Sequence, residues 1–170
     1  MKIRLFSLIM ESFFGNSNRV DAMPGALENK VVAIETDGGI EPVSALKICG
    51  DSFTKMGLNV STNAISDLEK NPMAAAFLKG GKQVSSICKA CDVYEICGGG
   101  YFPHRFDGES FNNPSVYCES LYTLISSIQN EIMTKIPEMK EWIRPIASDR
   151  HISASTLVQC LECISDEGVN

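Results

Sequence analysis

"CKACDVYEICGGGYFPHR", residues 88–105, holds three cysteines and three consecutive glycines within eighteen positions. The most reactive side chain and the least constrained backbone meet in one segment. Three thiols this close can hold a metal, form a disulfide or carry out thiol chemistry. The choice decides how the chain folds, because a small core gains much from a metal staple.

Outward from that segment, the pattern is Cys88-x2-Cys91-x5-Cys97, and Cys118 follows after 20 further residues. Four cysteines are the full complement of a [4Fe–4S] cluster, in which each iron takes one thiolate. They also complete a tetrahedral structural zinc site. Four-cysteine zinc sites usually use two C-x2-C pairs, and here a wider, asymmetric split replaces the second pair. Gly98, Gly99 and Gly100 add a second argument. Successive glycines let the backbone take positive φ and aim peptide N–H groups at anionic sulfurs. The bland alternative is a flexible turn. Spacing and glycines together favour iron–sulfur over zinc, and any metal over free thiols.

The whole chain bounds these readings. It has 170 residues, 44% hydrophobic and 21% charged, enough for one modest core and a short appendage. A net charge of −6 without a basic stripe argues against nucleic acid as a partner. No run of roughly 18 uncharged apolar residues is present, so no membrane span is expected. The opening "MKIRLFSLIMESFFG" has only "LFSLIM" as an apolar core before Glu11, and no small-x-small cleavage site follows. The expected location is cytoplasmic. Seven cysteines, Cys49, Cys88, Cys91, Cys97, Cys118, Cys160 and Cys163, are many for that compartment. Cytosolic thiols stay reduced, so a group of them reads as metal binding or catalysis, and an odd count fits full disulfide pairing poorly.

Residues 2–14 are expected as a short amphipathic helix with Ile3, Phe6, Ile9 or Met10, and Phe13 on one face. "VVAIETDGGIEPV" (31–43) is a hairpin signal about Asp37-Gly38-Gly39, and "GLNVST" (57–62) offers a third short strand. Ser66-Asp67-Leu68-Glu69 matches a capping box. Asn71-Pro72 reads as an N-cap followed by proline at the first helical position, with Gly80 or Gly81 as the stop. The cysteine segment is expected as irregular loop. The longest helix is expected to begin at Asn113-Pro114, with Tyr117, Leu121, Leu124, Ile125, Ile128 and Ile132 on its face and Pro137 beyond its end. A further helix is expected within residues 150–170. The fold class is α+β: a small β-hairpin plus an irregular cysteine-rich loop and helices, stabilised by an iron–sulfur cluster.

At these residues the chain resembles the SPASM domain at the C-terminus of radical SAM peptide-modifying enzymes. The resemblance rests on "CKACDVYEICGGGYFPHR", on "FNNPSVYC" ending at Cys118, and on the upstream "VVAIETDGGIEPVSALKICGD". It spans about residues 28–130 and implies that Cys88, Cys91, Cys97 and Cys118 ligate one auxiliary [4Fe–4S] cluster. A further family cysteine corresponds to Tyr101, and Val43 and Ser44 stand where an upstream cysteine pair is expected, so a second cluster is not implied. The implied organisation is a helix and linker at 1–27 left from a preceding barrel, a SPASM-like cluster domain at 28–138, and a helical tail at 139–170.

The implied function is support of substrate binding, and electron transfer, in an enzyme that modifies ribosomally made peptides or proteins. The partners would be a precursor peptide and a separate radical SAM barrel polypeptide. S-adenosylmethionine would act only through that barrel, because no C-x3-C-x2-C occurs in this sequence. The chain alone is therefore expected to be inactive, with no catalytic residue of its own. The alternative is a non-catalytic four-cysteine zinc or iron–sulfur interaction module.

Other residues carry weaker signals. Cys49 is read as a small buried hydrophobe, and Cys160 with Cys163 as packing residues of a helix, or else as partners of Cys88 and Cys91 in a zinc site. Arg105 either offsets cluster charge, holds a peptide carboxylate, or makes a surface ion pair. Tyr94 and Tyr101 read as cover against water. Glu35, Asp37 and Glu41 read as a solvated hairpin face.

Overall fold

The computed structural model describes residues 3–16 and 27–146. Among these the protein is mixed helix with one small antiparallel sheet, which agrees with the α+β expectation at that level. Strands β1 (Ala33–Ile34) and β2 (Ile40–Glu41) pair in register Ala33↔Glu41 and Ile34↔Ile40. The turn between them is the expected Asp-Gly-Gly: Gly38 has φ +82° and Asp37 Oδ1 accepts the Gly39 N–H at 2.9 Å. The expected third strand shrinks to an isolated bridge, Gly39↔Asn59. Asn59 turns the chain there by donating to the Asp37 carbonyl and accepting from Ser61.

Helix α1 (Arg4–Phe13) forms where expected, but its buried side differs. Ile9 is buried with Leu5 and Phe13 beside it, while Ile3, Phe6 and Met10 are exposed. A 3₁₀ turn at Ile65–Lys70 precedes α2 (Pro72–Lys79). The expected box at Ser66 is displaced by two residues, because Asp67 Oδ2 accepts the Ala64 N–H. Asn71 caps α2 as expected, its Oδ1 accepting from Met73 and Ala74. Gly80, at φ +53°, ends the helix.

The cysteine segment is not loop throughout. It contains two single turns, α3 (Ser86–Lys89) and α4 (Tyr94–Cys97). Helix α5 runs from Cys118 to Lys135, so Asn113 does not start it. The Asn113 amide instead donates to the Arg105 carbonyl, Asp107 Oδ2 and the Ser110 carbonyl, tying the preceding loop. Ser115 turns the chain into the helix by accepting the Tyr117 N–H on its hydroxyl and the Cys118 N–H on its carbonyl.

Three groups of buried side chains hold these elements. Ile9, Val93, Cys97, Tyr122 and Ile125 join α1, α4 and α5. Ile40, Leu68 and Ala74 join the hairpin to α2. Leu46, Phe77 and Phe102 form the third, extended by Phe111 stacked 4.5 Å from Phe102. Each such aliphatic or aromatic side chain contributes about 1.5–3 kcal/mol by leaving water. Residues 144–146, at the start of the expected tail, are clamped to α5. Gln129 donates to the Arg144 carbonyl and accepts the Ile146 N–H. No helix among the described residues is long and apolar enough to cross a membrane.

Candidate metal centre

Cys88 lies in α3, which begins with the Ser85 hydroxyl accepting the Cys88 N–H at 3.3 Å. Cys97 closes α4, and the two turns are joined by the Cys91 N–H donating to the Cys88 carbonyl. Cys88 and Cys97 are buried, at 7% and 8% exposure, and Cys91 and Cys118 are half-buried. None of the four is in a disulfide.

The glycine triplet sets how the loop after Cys97 meets the segment that leads to Cys118. Gly98, Gly99 and Gly100 have φ of +60°, +82° and +74°, a run that L side chains rarely adopt. A Cβ on Gly100 would stand 2.9 Å from Cβ of Ser115 and 3.1 Å from Cδ1 of Leu121. Bare backbone at Gly100 thus lets the segment leading into α5 pack directly on the loop that follows Cys97. A Cβ on Gly99 would meet Cγ1 of Val84 at 2.9 Å.

The Cys97 thiol feels the other three. Burial, then the charge of Cys118, pushes the Cys97 thiol up to about 12, and Cys88 and Cys91 add to the rise. A hydrogen bond from the Gly99 N–H acts in the opposite direction, as expected of a glycine loop that serves a thiolate. At neutral pH the metal-free Cys97 is a protonated, unreactive thiol, which disfavours free-thiol chemistry. A metal would have to displace that proton. Among the described residues, no three His, Cys, Asp or Glu side chains are placed to hold a single metal ion. The action of Cys88, Cys91 and Cys118 on Cys97 is a looser condition than ligation of one ion.

The remaining candidates divide. Cys49 stands apart, its thiol 3.6 Å from the Pro103 carbonyl, and burial raises its pKa. Cys160 and Cys163 lie outside the described residues. Tyr94 is half-buried: its hydroxyl donates to the Gly81 carbonyl, and burial, then Glu95 and Cys88, raise its phenol. Tyr101 packs edge-on to His104, which in turn meets Tyr117. Of the hairpin acids, Glu35 pairs with Lys47 at 3.6 Å. Glu41 is no part of a solvated face, being 5% exposed with Oε2 buried and without a hydrogen bond.

Sequence reasoning most undervalued Arg105. It makes no surface ion pair; it is 1% exposed, with its guanidinium carbon 4.5 Å over the Phe102 ring. Phe102 three residues earlier, on a 3₁₀ turn at Phe102–Arg105, was the available signal. Burial lowers the guanidinium to about 10, opposed by the charges of Cys88 and Cys97, so it stays cationic at neutral pH. Asn29, Phe77, Gly80, Tyr101, Phe102 and Arg105 line a cleft of about 110 Å³. No family model, curated protein or solved structure matches this chain.

Proposed function

We propose that the chain is an auxiliary [4Fe–4S]-binding domain of the SPASM type, held by Cys88, Cys91, Cys97 and Cys118, that serves a radical SAM enzyme acting on ribosomally made peptides or proteins. The observation that carries the metal part is the Cys97 thiol, buried and under the influence of the other three cysteines and of the Gly99 N–H. The resemblance of the sequence carries the family and the peptide substrate. When bound, such a cluster supplies a one-electron relay and a covalent staple for a small fold.

The chain's own residues prepare that site. Ser85 orders the Cys88 turn, Tyr94 ties its own turn to the Gly81 carbonyl, and the bare backbone of Gly99 and Gly100 admits Val84 on one side and Ser115 on the other. Four thiolates would leave no iron open for S-adenosylmethionine, much as a four-ligand zinc site is closed. Cleavage of that cofactor therefore belongs to a separate barrel carrying C-x3-C-x2-C.

Anaerobic reconstitution tests the reading. About four iron and four sulfide should bind, with a broad absorption band that dithionite bleaches. Cys88→Ala, Cys91→Ala, Cys97→Ala and Cys118→Ala should each lose them, while Cys160→Ala and Cys163→Ala keep them. Stoichiometric zinc without sulfide would instead support the zinc interaction module.

A further inference from the structure

Arg105 is the largest fully buried side chain among the described residues. Its Nη1 donates to the Gln83 carbonyl at 3.1 Å and its Nη2 to the Gly80 carbonyl at 3.4 Å. Nε is buried with no hydrogen-bond partner, and no Asp or Glu pairs with the guanidinium among the described residues. Two carbonyls and an aromatic face offer only partial charges. A full positive charge withdrawn from water needs a full negative charge close by, or it is a heavy burden on the fold.

The guanidinium lies beside the backbone that follows Cys97. Nη1 stands 3.5 Å from the place a Cβ would occupy on Gly99, the residue whose N–H donates to the Cys97 sulfur. Gln83, which holds Nη1, is two residues before Ser85, the cap of the Cys88 turn. Arg105 is therefore packed against the loop that links two of the four cysteines. Cys88 and Cys97, once they are thiolates, would favour its cationic form.

We propose that Arg105 is the internal counter-ion of the four-cysteine centre, offsetting its thiolate charge and setting how readily the bound centre accepts an electron. This rests on the metal-binding reading above and assigns no catalytic role: Arg105 is a positioning and tuning residue. The guanidinium suits the task because its planar donors are fixed by two carbonyls and stacked on Phe102 at once, which an ammonium cannot reproduce. The charge is the part an ammonium can restore.

The experiment compares wild type, Arg105→Gln and Arg105→Lys after anaerobic reconstitution, by iron and sulfide content and by spectroelectrochemical titration. Reduction adds negative charge, so loss of the cation should disfavour it. In Arg105→Gln the reduced-to-oxidised ratio at fixed potential should fall about tenfold, about 59 mV for one electron, and Arg105→Lys should recover most of that. Loss of the centre in Arg105→Gln alone, with Arg105→Lys still loaded, supports the same conclusion. Equal loss in both variants, or equal retention with unchanged potential, overturns it, because shape rather than charge would then matter. Iron and sulfide in the wild type decide the cluster reading separately. If the wild type holds zinc without sulfide, that reading falls. Zinc affinity then decides the counter-ion claim: about tenfold weaker in Arg105→Gln and near wild type in Arg105→Lys supports it, and equal affinity overturns it. A wild type that takes up neither metal overturns both.

Discussion

The hairpin half and the cysteine half of the molecule are held in different ways. Around the hairpin, polar side chains answer backbone groups a few residues away: Asn63 to Asn59, Asp67 to Ala64, Asn71 to Met73 and Ala74. The exceptions are the Asn59 amide on the Asp37 carbonyl, the Asn29 amide on the Phe77 carbonyl, and buried atoms of Glu41 and Thr54 without partners. Around the cysteines the ties are long: Tyr94 to Gly81, Arg105 to Gln83 and Gly80, Gly100 against Ser115 and Leu121. Short ties form as soon as the local chain turns. Long ties carry a loop-closure cost that something else must offset, and in the cysteine half the proposed metal would supply that offset.

The sharpest test of this difference is metal loading followed by amide exchange. At a hundredfold excess of metal over Kd, amides of Cys97 to Gly100 should gain about 2.7 kcal/mol of protection. Amides at 59–74 should gain far less, and an equal gain in both halves would erase the distinction.

Gly100→Ala comes next. It places a Cβ at φ +74° and 2.9 Å from Cβ of Ser115, so the metal-free chain should lose about 1–3 kcal/mol in urea unfolding. An unchanged midpoint would mean that the triplet is only a flexible turn.

In the hairpin half, Asn71→Ala removes an acceptor for two N–H groups and should cost about 1 kcal/mol. Because the cap is local, metal content should not change; a parallel loss of metal would show that the halves are not separable.

The smallest effect is acid sensitivity of the loop after Arg105. Burial pushes Asp107 up, but hydrogen bonds from the Ser110 and Glu109 N–H groups and from Asn113 prevail and hold it below the usual range. A carboxyl lowered in the folded chain contributes stability above its unfolded value of about 3.9, and that contribution fades as pH falls below it. Asp107→Asn should flatten this slope; a slope unchanged in the variant would assign the sensitivity elsewhere.

What was legible in the sequence follows the same division. The Asp-Gly-Gly turn and the Asn71-Pro72 cap are local chemistry, and both formed as read. The start of α5 was misplaced by five residues because the Asn113 amide serves carbonyls and a carboxylate in its own loop instead of capping. The expected face of α1 is right in part: Ile9 and Phe13 pack on the core beside α5, while Ile3, Phe6 and Met10 are exposed. Spacing alone proposes the four cysteines as one centre. Arg105 could not be read as buried, because its partners lie 22 and 25 residues upstream.

The segment from Cys88 to Arg105 looks like a cassette that could be cut out and grafted onto another scaffold. It is not one. Its Tyr94 hydroxyl and Arg105 guanidinium terminate on carbonyls at 80, 81 and 83, and its glycines are shaped to Val84 on one side and to Ser115 and Leu121 on the other. A transplant limited to the quoted letters would carry a cation with no acceptors and a triplet with nothing to fit. These ties alone run from Gly80 to Leu121, and Val93 and Cys97 pack further on Ile9, Tyr122 and Ile125, so the fit of the segment reaches into α1 and α5.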